Sequence, residues 1–448
     1  MAAGFKRETV TFYHIADLHI DPNYTIGGKR ENCGNVMCCR GEMAKKEADR
    51  AGQWGDYNCD LPIWTLKQIH HSKTNTGNPD FFIWTGDNIA HDIHKLPEDS
   101  ATATLQISEY VQQNFPEAII FPIHGNHEFA PMNLQDLEDP HDKVINWLAD
   151  VWAEWMPEEV IDQFRKQSFY EYPAWQHPKA SPEFARKMKG TRFIGANLQT
   201  CYFFNFYLMS EMGGELHEIE WLEETLRTIE QRGEKVILYA HIPPGGSDCM
   251  ESFSRRYAAL MDRYQHVIRT TLYAHDHTES FNLMRAVKSG KAINQEIVTG
   301  SLTTFTGENP SFRVIHLDAE HMVPVSIETY FLNLTYYNSH PEEEAIFTKL
   351  YEMKEEYGLK DLRPSNLDRL SHDFLVNEEL ARKYRGNRNA RAHGVPQTCD
   401  AQCRLDYFCQ TQFNVHADTM ACKNSYDGMD MLHLLFTPFE EPWFEPVK

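Results

Sequence analysis

Five short motifs carry the residue types that coordinate a divalent metal: Asp17-Leu-His19, Gly86-Asp87-Asn-Ile-Ala-His91, His124-Gly125-Asn126-His127-Glu128, His241, and His275-Asp276-His277. Two carboxylates, three or more imidazoles and one amide oxygen form a mixed oxygen and nitrogen set. Such a set suits borderline ions such as Zn, Mn or Fe(II) and is poor for Ca or Mg. It is too large for one tetrahedral zinc, which takes four ligands and in catalytic sites leaves one of them to water. Two metals sharing a bridging carboxylate account for the number better. Each motif alone has an ordinary explanation as a surface pair or a turn; five of them in this order, each closing an apolar run, do not.

Those apolar runs are the elements that must position the motifs. Residues 10–16, 81–85, 118–123, 193–197, 236–240 and 271–274 are rich in β-branched and aromatic side chains and end abruptly in polar residues, which predicts buried strands of an α/β protein. Apolar spacing of three and four residues predicts helices over 61–69, 147–155 and 221–229. The stripe Trp147, Leu148, Val151, Trp152 and Trp155 reads as the core face of a helix rather than as a membrane-touching one. Alternating strands and helices predict a layered α/β/α domain, in which ligands collect beyond the carboxyl ends of the strands. Gly86 and Gly125 leave room for tight turns that bring Asp87 and Asn126 inward. A composition shift begins near Asn338, where Pro341-Glu-Glu-Glu is expected to open a charged helical stretch with Ile346, Leu350 and Met353 facing inward. From 338 to 448 the chain reads as a mostly helical region held by its four cysteines, its charged outer faces solvated.

With 448 residues, 42% hydrophobic and 12% aromatic, the chain can bury a large core, and one big domain with a smaller one appended is expected. A formal net charge of -22 argues against a nucleic-acid partner, whose binding draws on Lys and Arg. An anionic substrate would need a local positive centre, and bound metal supplies one. The ten cysteines fall in groups: Cys33, Cys38, Cys39 and Cys59, then Cys201 and Cys249, then Cys399, Cys403, Cys409 and Cys422. No Cys-x-x-Cys pair occurs, so disulfides and an oxidising compartment are expected rather than a zinc site. The sequons Asn23-Tyr-Thr25 and Asn333-Leu-Thr335 point the same way. The first eight residues have no apolar h-region, so no signal peptide is visible. The cysteines outweigh that, and a secreted or lysosomal location is expected. No apolar run reaches the ~18 residues of a bilayer span, so no transmembrane segment is expected.

The order Asp-x-His, Gly-Asp, Gly-Asn-His-Glu, His and His-x-His resembles the calcineurin-like metallophosphoesterase superfamily. The chain is more closely similar to acid sphingomyelinase and its phosphodiesterase relatives. That likeness rests on Ala16-Asp-Leu-His19, Cys33 to Cys38-Cys39-Arg40, Trp54-Gly-Asp-Tyr57, Cys59-Asp-Leu-Pro62, Trp84-Thr-Gly-Asp87 and Ala90-His-Asp92. It continues through Gly125-Asn-His-Glu128, Ala240-His-Ile-Pro-Pro-Gly245, Asn309-Pro310, Glu328-Thr-Tyr330, Asn333-Leu-Thr335 and the last cysteine cluster.

The resemblance implies a four-layer α/β/β/α metallophosphoesterase sandwich over 9–337, with a mainly helical, disulfide-held C-terminal subdomain over 338–448. It implies two zinc ions per chain: one held by Asp17, His19, Asp87 and His277, the other by Asp87, Asn126, His241 and His275, with Asp87 bridging. His91 and His127 match the family's non-ligand histidines, which contact the phosphate and assist the leaving group. The implied disulfides pair Cys33 with Cys38, Cys39 with Cys59, Cys201 with Cys249, Cys399 with Cys403, and Cys409 with Cys422. The implied activity is hydrolysis of sphingomyelin to ceramide and phosphocholine by a metal-bridging hydroxide, with peripheral contact to a membrane surface. Two departures stand out. Ala274-His-Asp-His277 replaces the family's Gly-His-Thr-His, adding Asp276, which either supports the metal ligands from behind or, the favoured reading, simply faces solvent. No saposin-like segment is visible, which favours smaller nucleotide or choline-phosphate diesters as the alternative substrates. An iron-dependent acid phosphatase would need a tyrosine where Ala90 stands. A non-enzymatic binding module on the same scaffold predicts missing ligands, and none is missing.

Overall fold

Among the described residues of the computed structural model, which are 8–34, 36–92, 97–137, 139, 141–209 and 214–426, twelve strands form two six-stranded sheets. The strands are β1 (Thr9–Ile15), β2 (Phe81–Trp84), β3 (Ile119–Pro122), β4 (Tyr170–Pro173), β5 (Thr191–Gly195) and β6 (Lys235–Tyr239). They continue with β7 (Ile268–Tyr273), β8 (Ser280–Arg285), β9 (Ala292–Val298), β10 (Ser311–Asp318), β11 (Pro324–Phe331) and β12 (Thr348–Glu352). The first sheet runs β12-β11-β10-β1-β2-β3 and the second β4-β5-β6-β7-β9-β8. Strands β1, β2 and β3 are mutually parallel, as are β5, β6 and β7, so the loops that leave their carboxyl ends gather at one edge of each sheet.

The apolar runs read as strands because both faces of these sheets are covered. On the inner face Phe12 stacks on Phe81 at 4.7 Å, and Phe193 of the second sheet meets Phe81 at 5.2 Å and Phe121 at 4.1 Å. Tyr170 of β4 donates its hydroxyl to the carbonyl of Pro122 on β3 at 2.6 Å, tying the sheets together. On the outer face of the first sheet Tyr13 and Phe82 pack against Phe115, beside the helix Pro97–Asn114. The helix Gly214–Gln231 covers the second sheet through Leu222, Leu226 and Ile229. Four layers, α/β/β/α, result. The helix Lys143–Trp152 buries Leu148 and Trp152, and Trp155 just beyond it is also buried, so the tryptophan stripe is core.

The structure corrects one element. Residues 348–352 are not helical: β12 pairs antiparallel with β11 at the edge of the first sheet, with Ile346 exposed at 37%. Spacing of four and three at Ile346, Leu350 and Met353 mimicked a helix; Met353 is buried as expected and Leu350 half-buried, but the strand alternation buries Phe347 and Tyr351, and pairing with β11 decides the outcome. The helices of this region are Met353–Tyr357, Pro364–Val376, Glu378–Arg388, Ala401–Gln412 and His416–Tyr426. The expected extension to 448 lies outside the described residues from 427 onward, as does most of the N-terminal octet. All five disulfides pair as the resemblance implied. Asn23 and Asn333 are both exposed.

Buried carboxyls couple this core to pH. Burial pushes Glu218 up to about 8, against the bonds it accepts from the Asn197 N–H and the Thr200 hydroxyl. The folded chain therefore keeps this proton between about pH 4.5 and about 8, where the unfolded chain has lost it, and stability falls as pH rises through that window. The slope from one such group approaches about 1.4 kcal/mol per pH unit. Denaturant unfolding should show Glu218→Gln gaining stability relative to the parent between pH 5 and pH 8; a difference that does not change with pH would contradict this.

Candidate metal centre

Each of the five motifs begins where a parallel strand stops. β1 delivers Asp17 and His19, β2 delivers Asp87 and His91, β3 delivers Asn126 and His127, β6 delivers His241, and β7 delivers His275 and His277. The turns are unusual. Asp17, His19, Asp87, His275 and His277 all have positive φ, between 39° and 72°, a region that residues other than glycine rarely occupy. Such a conformation persists only where the surroundings impose it, and here they do. The main chain of the first two turns is cross-bonded, Asp17 N to Gly86 O at 3.1 Å and His19 N to Asp87 O at 2.9 Å. Gly86 has no room for a side chain, since a Cβ there would lie 2.1 Å from Gly125 N.

The donors converge into two groups that share Asp87. In one, Asp17, His19 and His277 come together, with His277 Nε2 3.2 Å from His19 Nε2 and 3.7 Å from Asp17 Oδ1, and His19 Nε2 3.4 Å from Asp87 Oδ2. In the other, His241 Nε2 lies 3.2 Å from Asp87 Oδ2, 3.0 Å from Asn126 Oδ1 and 3.3 Å from His275 Nδ1. All seven residues expected from the sequence are therefore within one cluster, buried except for half-buried His275. Asn126 donates its amide to Asn133 Oδ1 at 2.8 Å, which turns its oxygen toward His241.

This cluster needs a cation. His19 donates Nδ1–H to the carbonyl of Ile89 at 2.9 Å and His241 donates Nδ1–H to Thr85 at 2.6 Å, so the Nε2 lone pairs face carboxylates and other ring nitrogens. Nitrogen lone pairs at such separations repel unless positive charge lies between them, and Asp17 Oδ1 is buried with no hydrogen-bond partner. Without metal the charge must come from a proton: Asp87 and Asp17 hold His241 up to about 9, although burial pulls it down. Burial pushes Asp17 well above the ordinary carboxylate value, whereas for Asp87 the facing His241, His127 and His19 more than offset burial and hold it well below. The donor set fits divalent cations, and metal and proton compete for the same lone pairs.

His91 and His127 stand beside the first group. The His91 ring stacks on His19 at 3.8 Å, and His127 lies 4.4 Å from His91 and 4.8 Å from His19. Three residues that carried no expectation of a role hold this arrangement. Asp60, fully buried, accepts the main-chain N–H of His91 at 2.6 Å and its Nδ1–H at 2.9 Å, and takes the Thr303 hydroxyl at 3.0 Å. Glu128 accepts N–H bonds from Asp87, Asn88 and Gly125, clamping the second and third turns together. Asp248 Oδ2 sits 3.2 Å from His275 Nε2, fixing the ring so that Nδ1 faces the cluster, the usual outer support of a metal-binding histidine. Asp60 and Glu128 lay inside quoted motifs, but only the tertiary contacts assign them work; Asp248 had no signal. His124 instead faces the core against Phe129 and Phe164, where burial pushes it down to about 4. Asp276 is exposed, as expected.

Asp17→Asn should leave the fold intact and lower the divalent-metal content of the purified protein relative to the parent, read by elemental analysis. Unchanged metal content would remove Asp17 from the ligand set.

The curated relatives cover most of the chain. It is 29% identical over 423 residues to sphingomyelin phosphodiesterase of Homo sapiens, covering 91% of this chain and 64% of that protein. It is 28% identical over 434 residues to acid sphingomyelinase-like phosphodiesterase 3b of Homo sapiens, covering 91% and 88%. A cyclic GMP-AMP phosphodiesterase of Bos taurus is 28% identical over 392 residues, covering 84% and 82%. Thus the chain spans just under two thirds of the sphingomyelin phosphodiesterase it matches. Residues 286–428 match the acid sphingomyelin phosphodiesterase C-terminal region. Residues 10–279, more than half of the chain and inclusive of every donor from Asp17 to His277, match the calcineurin-like phosphoesterase profile, and the chain belongs to that family.

Proposed function

We propose that this chain is a zinc-dependent phosphodiesterase that hydrolyses sphingomyelin to ceramide and phosphocholine. The observation that carries the reading is the pair of donor groups that meet at Asp87, with His91 and His127 stationed beside His19 and close enough to it to form a third cluster of imidazoles. We assign one zinc to Asp17, His19, Asp87 and His277 and the other to Asp87, Asn126, His241 and His275. When bound, two such ions supply the positive charge that polarises a phosphoryl oxygen and lowers the pKa of water to near neutrality. The catalytic unit is assigned to 9–337 and the supporting subdomain to 338–448, which reaches the site through Arg388: its guanidinium donates to Thr278 at 2.7 Å and its carbonyl accepts from Glu279 at 2.9 Å.

The chain's own residues supply orientation and protons. Asp60 engages Nδ1–H of His91 and so leaves Nε2 as the nitrogen free to meet a departing alkoxide. A histidine held there can donate a proton to the leaving oxygen. His127 is fixed through its main-chain N–H, which donates to Asp87 Oδ1 at 2.8 Å, and so is tied to the shared carboxylate itself. The five disulfides and the exposed sequons support a secreted or lysosomal setting. Among the described residues no helix is long and apolar enough to cross a membrane.

The second reading is hydrolysis of soluble nucleotide or choline-phosphate diesters. It is favoured by the likeness to a cyclic GMP-AMP phosphodiesterase that this chain covers over 82% of its length. Side-by-side turnover of sphingomyelin in detergent, CDP-choline and ATP by one zinc-loaded preparation decides between them. Sphingomyelin should be cleaved fastest; cleavage of the nucleotide substrates alone would establish the second reading, and no turnover of any would remove both.

His91→Ala should keep its metal and lose about 10²-fold or more in kcat on an ester with a poor leaving group, with a smaller loss on an activated aryl ester. Asp60→Asn should show the same pattern more weakly. Equal losses on both esters would remove the proton-donor role.

A further inference from the structure

Beside the metal-ligand cluster lies a segment that neither the fold nor the proposed reaction explains. Cys201-Tyr-Phe-Phe-Asn-Phe-Tyr-Leu-Met209 contains no charged residue, in a chain of net charge -22. Within it Phe203 is 43% exposed, Phe204 40%, Phe206 55% and Met209 81%. Single exposed apolar residues are ordinary, but with Tyr207 also exposed there are five large ones within seven positions, a patch of the kind that marks an interaction surface. The segment is also firmly held. Cys201 is bridged to Cys249, Phe203 N donates to Asp248 O at 2.9 Å, Met250 N donates to Cys201 O at 2.8 Å, and buried Asn205 donates its amide to Gln135 O at 3.0 Å. Its backbone is thus pinned while its phenylalanines face outward, so the exposure is built in.

The patch is continuous with the site. The Tyr202 ring lies 5.4 Å from His275, Phe204 lies 5.5 Å from Tyr202, and Phe203 lies 4.1 Å from Phe204, a run of rings from a proposed metal ligand to the surface. The same Asp248 whose carbonyl receives Phe203 holds His275 by its carboxylate. We propose that Phe203, Phe204, Phe206 and Met209 form a docking platform for a zwitterionic lipid surface, setting the mouth of the metal cluster at the level of lipid headgroups.

The chemistry selects that occupant. A phosphodiester in a lipid layer sits at the boundary between water and acyl chains, and aromatic side chains partition to that depth. An apolar rim that dips there brings the cluster to the phosphate without lifting the lipid out of the layer. Anionic lipid is disfavoured, because an uncharged patch in a strongly negative chain offers it no attraction and the rest of the chain repels it. This inference rests on the proposed phosphodiesterase reading for its purpose, though not for its test.

The experiment is flotation of the zinc-loaded protein with phosphatidylcholine vesicles, alongside turnover of bis(p-nitrophenyl) phosphate, which needs no lipid surface. The parent should float, and F206S/M209S and F203S/F204S should each lower partition at least about 10-fold, with turnover of the soluble diester held within about twofold. Those side chains are exposed, so the variants should fold. Failure of the parent to bind, binding restricted to anionic vesicles, or variants that bind as the parent does would overturn the platform. So would loss of self-association in the variants without any vesicle binding, which would assign the face to a second copy of the chain. If no protein turns over the diester yet vesicle binding follows the stated pattern, the platform stands and the phosphodiesterase reading fails.

Discussion

The structure is organised around an electrostatic demand. Two buried aspartates and four imidazoles point lone pairs at one another across distances of 3.2 to 3.9 Å, and positive charge must lie among them. Everything that positions these groups is arranged against their mutual repulsion. Five of the seven donors sit at positive φ, the turns that carry them are stitched by main-chain bonds, and Glu128 clamps two of those turns from beneath. A cluster so constrained is pre-formed: the ligands are held by the sheets and not gathered by the ion, which is how a site keeps its geometry while a substrate exchanges on it.

The same logic explains the outer parts. Asp60 follows the disulfide cysteine Cys59, and Arg40, which follows its partner Cys39, pairs with Asp21 at 2.8 Å and with Asp92 at 2.5 Å. The cysteine-rich N-terminal loops therefore brace His91 from both sides. Cys201–Cys249 does the equivalent for Asp248, His275 and the exposed phenylalanines. The C-terminal helices touch the His277 turn through Arg388 and hold β8 through Arg285, which bonds Asp368 and the carbonyl of Gln412. Disulfides and C-terminal helices thus support the ends of strands, where the donors are, more than they support the middle of the core.

Much of this was legible in the sequence, for identifiable reasons. β2, β3 and β6 are buried on both faces and read as nearly continuous apolar runs, β1 and β7 are apolar chiefly toward their carboxyl ends, and the change to Asp, Asn and His beyond these strands marks the site. The later strands were not legible. β9 carries buried Asn294, Gln295 and Glu296, and β12 lies at a sheet edge with exposed Thr348 and Lys349, so neither presents an apolar run. Asp60, Glu128 and Asp248 escaped for another reason: their work is to accept hydrogen bonds from groups that only the tertiary fold brings near. The phenylalanines around Phe204 illustrate the limit most clearly, since an aromatic run reads the same whether it faces the core or the solvent.

The sharing of Asp87 is the point on which the rest turns, because it makes one site out of two donor groups. Anomalous X-ray scattering at the zinc edge, from crystals of the zinc-loaded protein, tests it most directly. Two peaks should appear on either side of the Asp87 carboxylate, one toward Asp17, His19 and His277 and the other toward Asn126, His241 and His275. A single peak, or peaks that leave Asp87 uncoordinated, would contradict it.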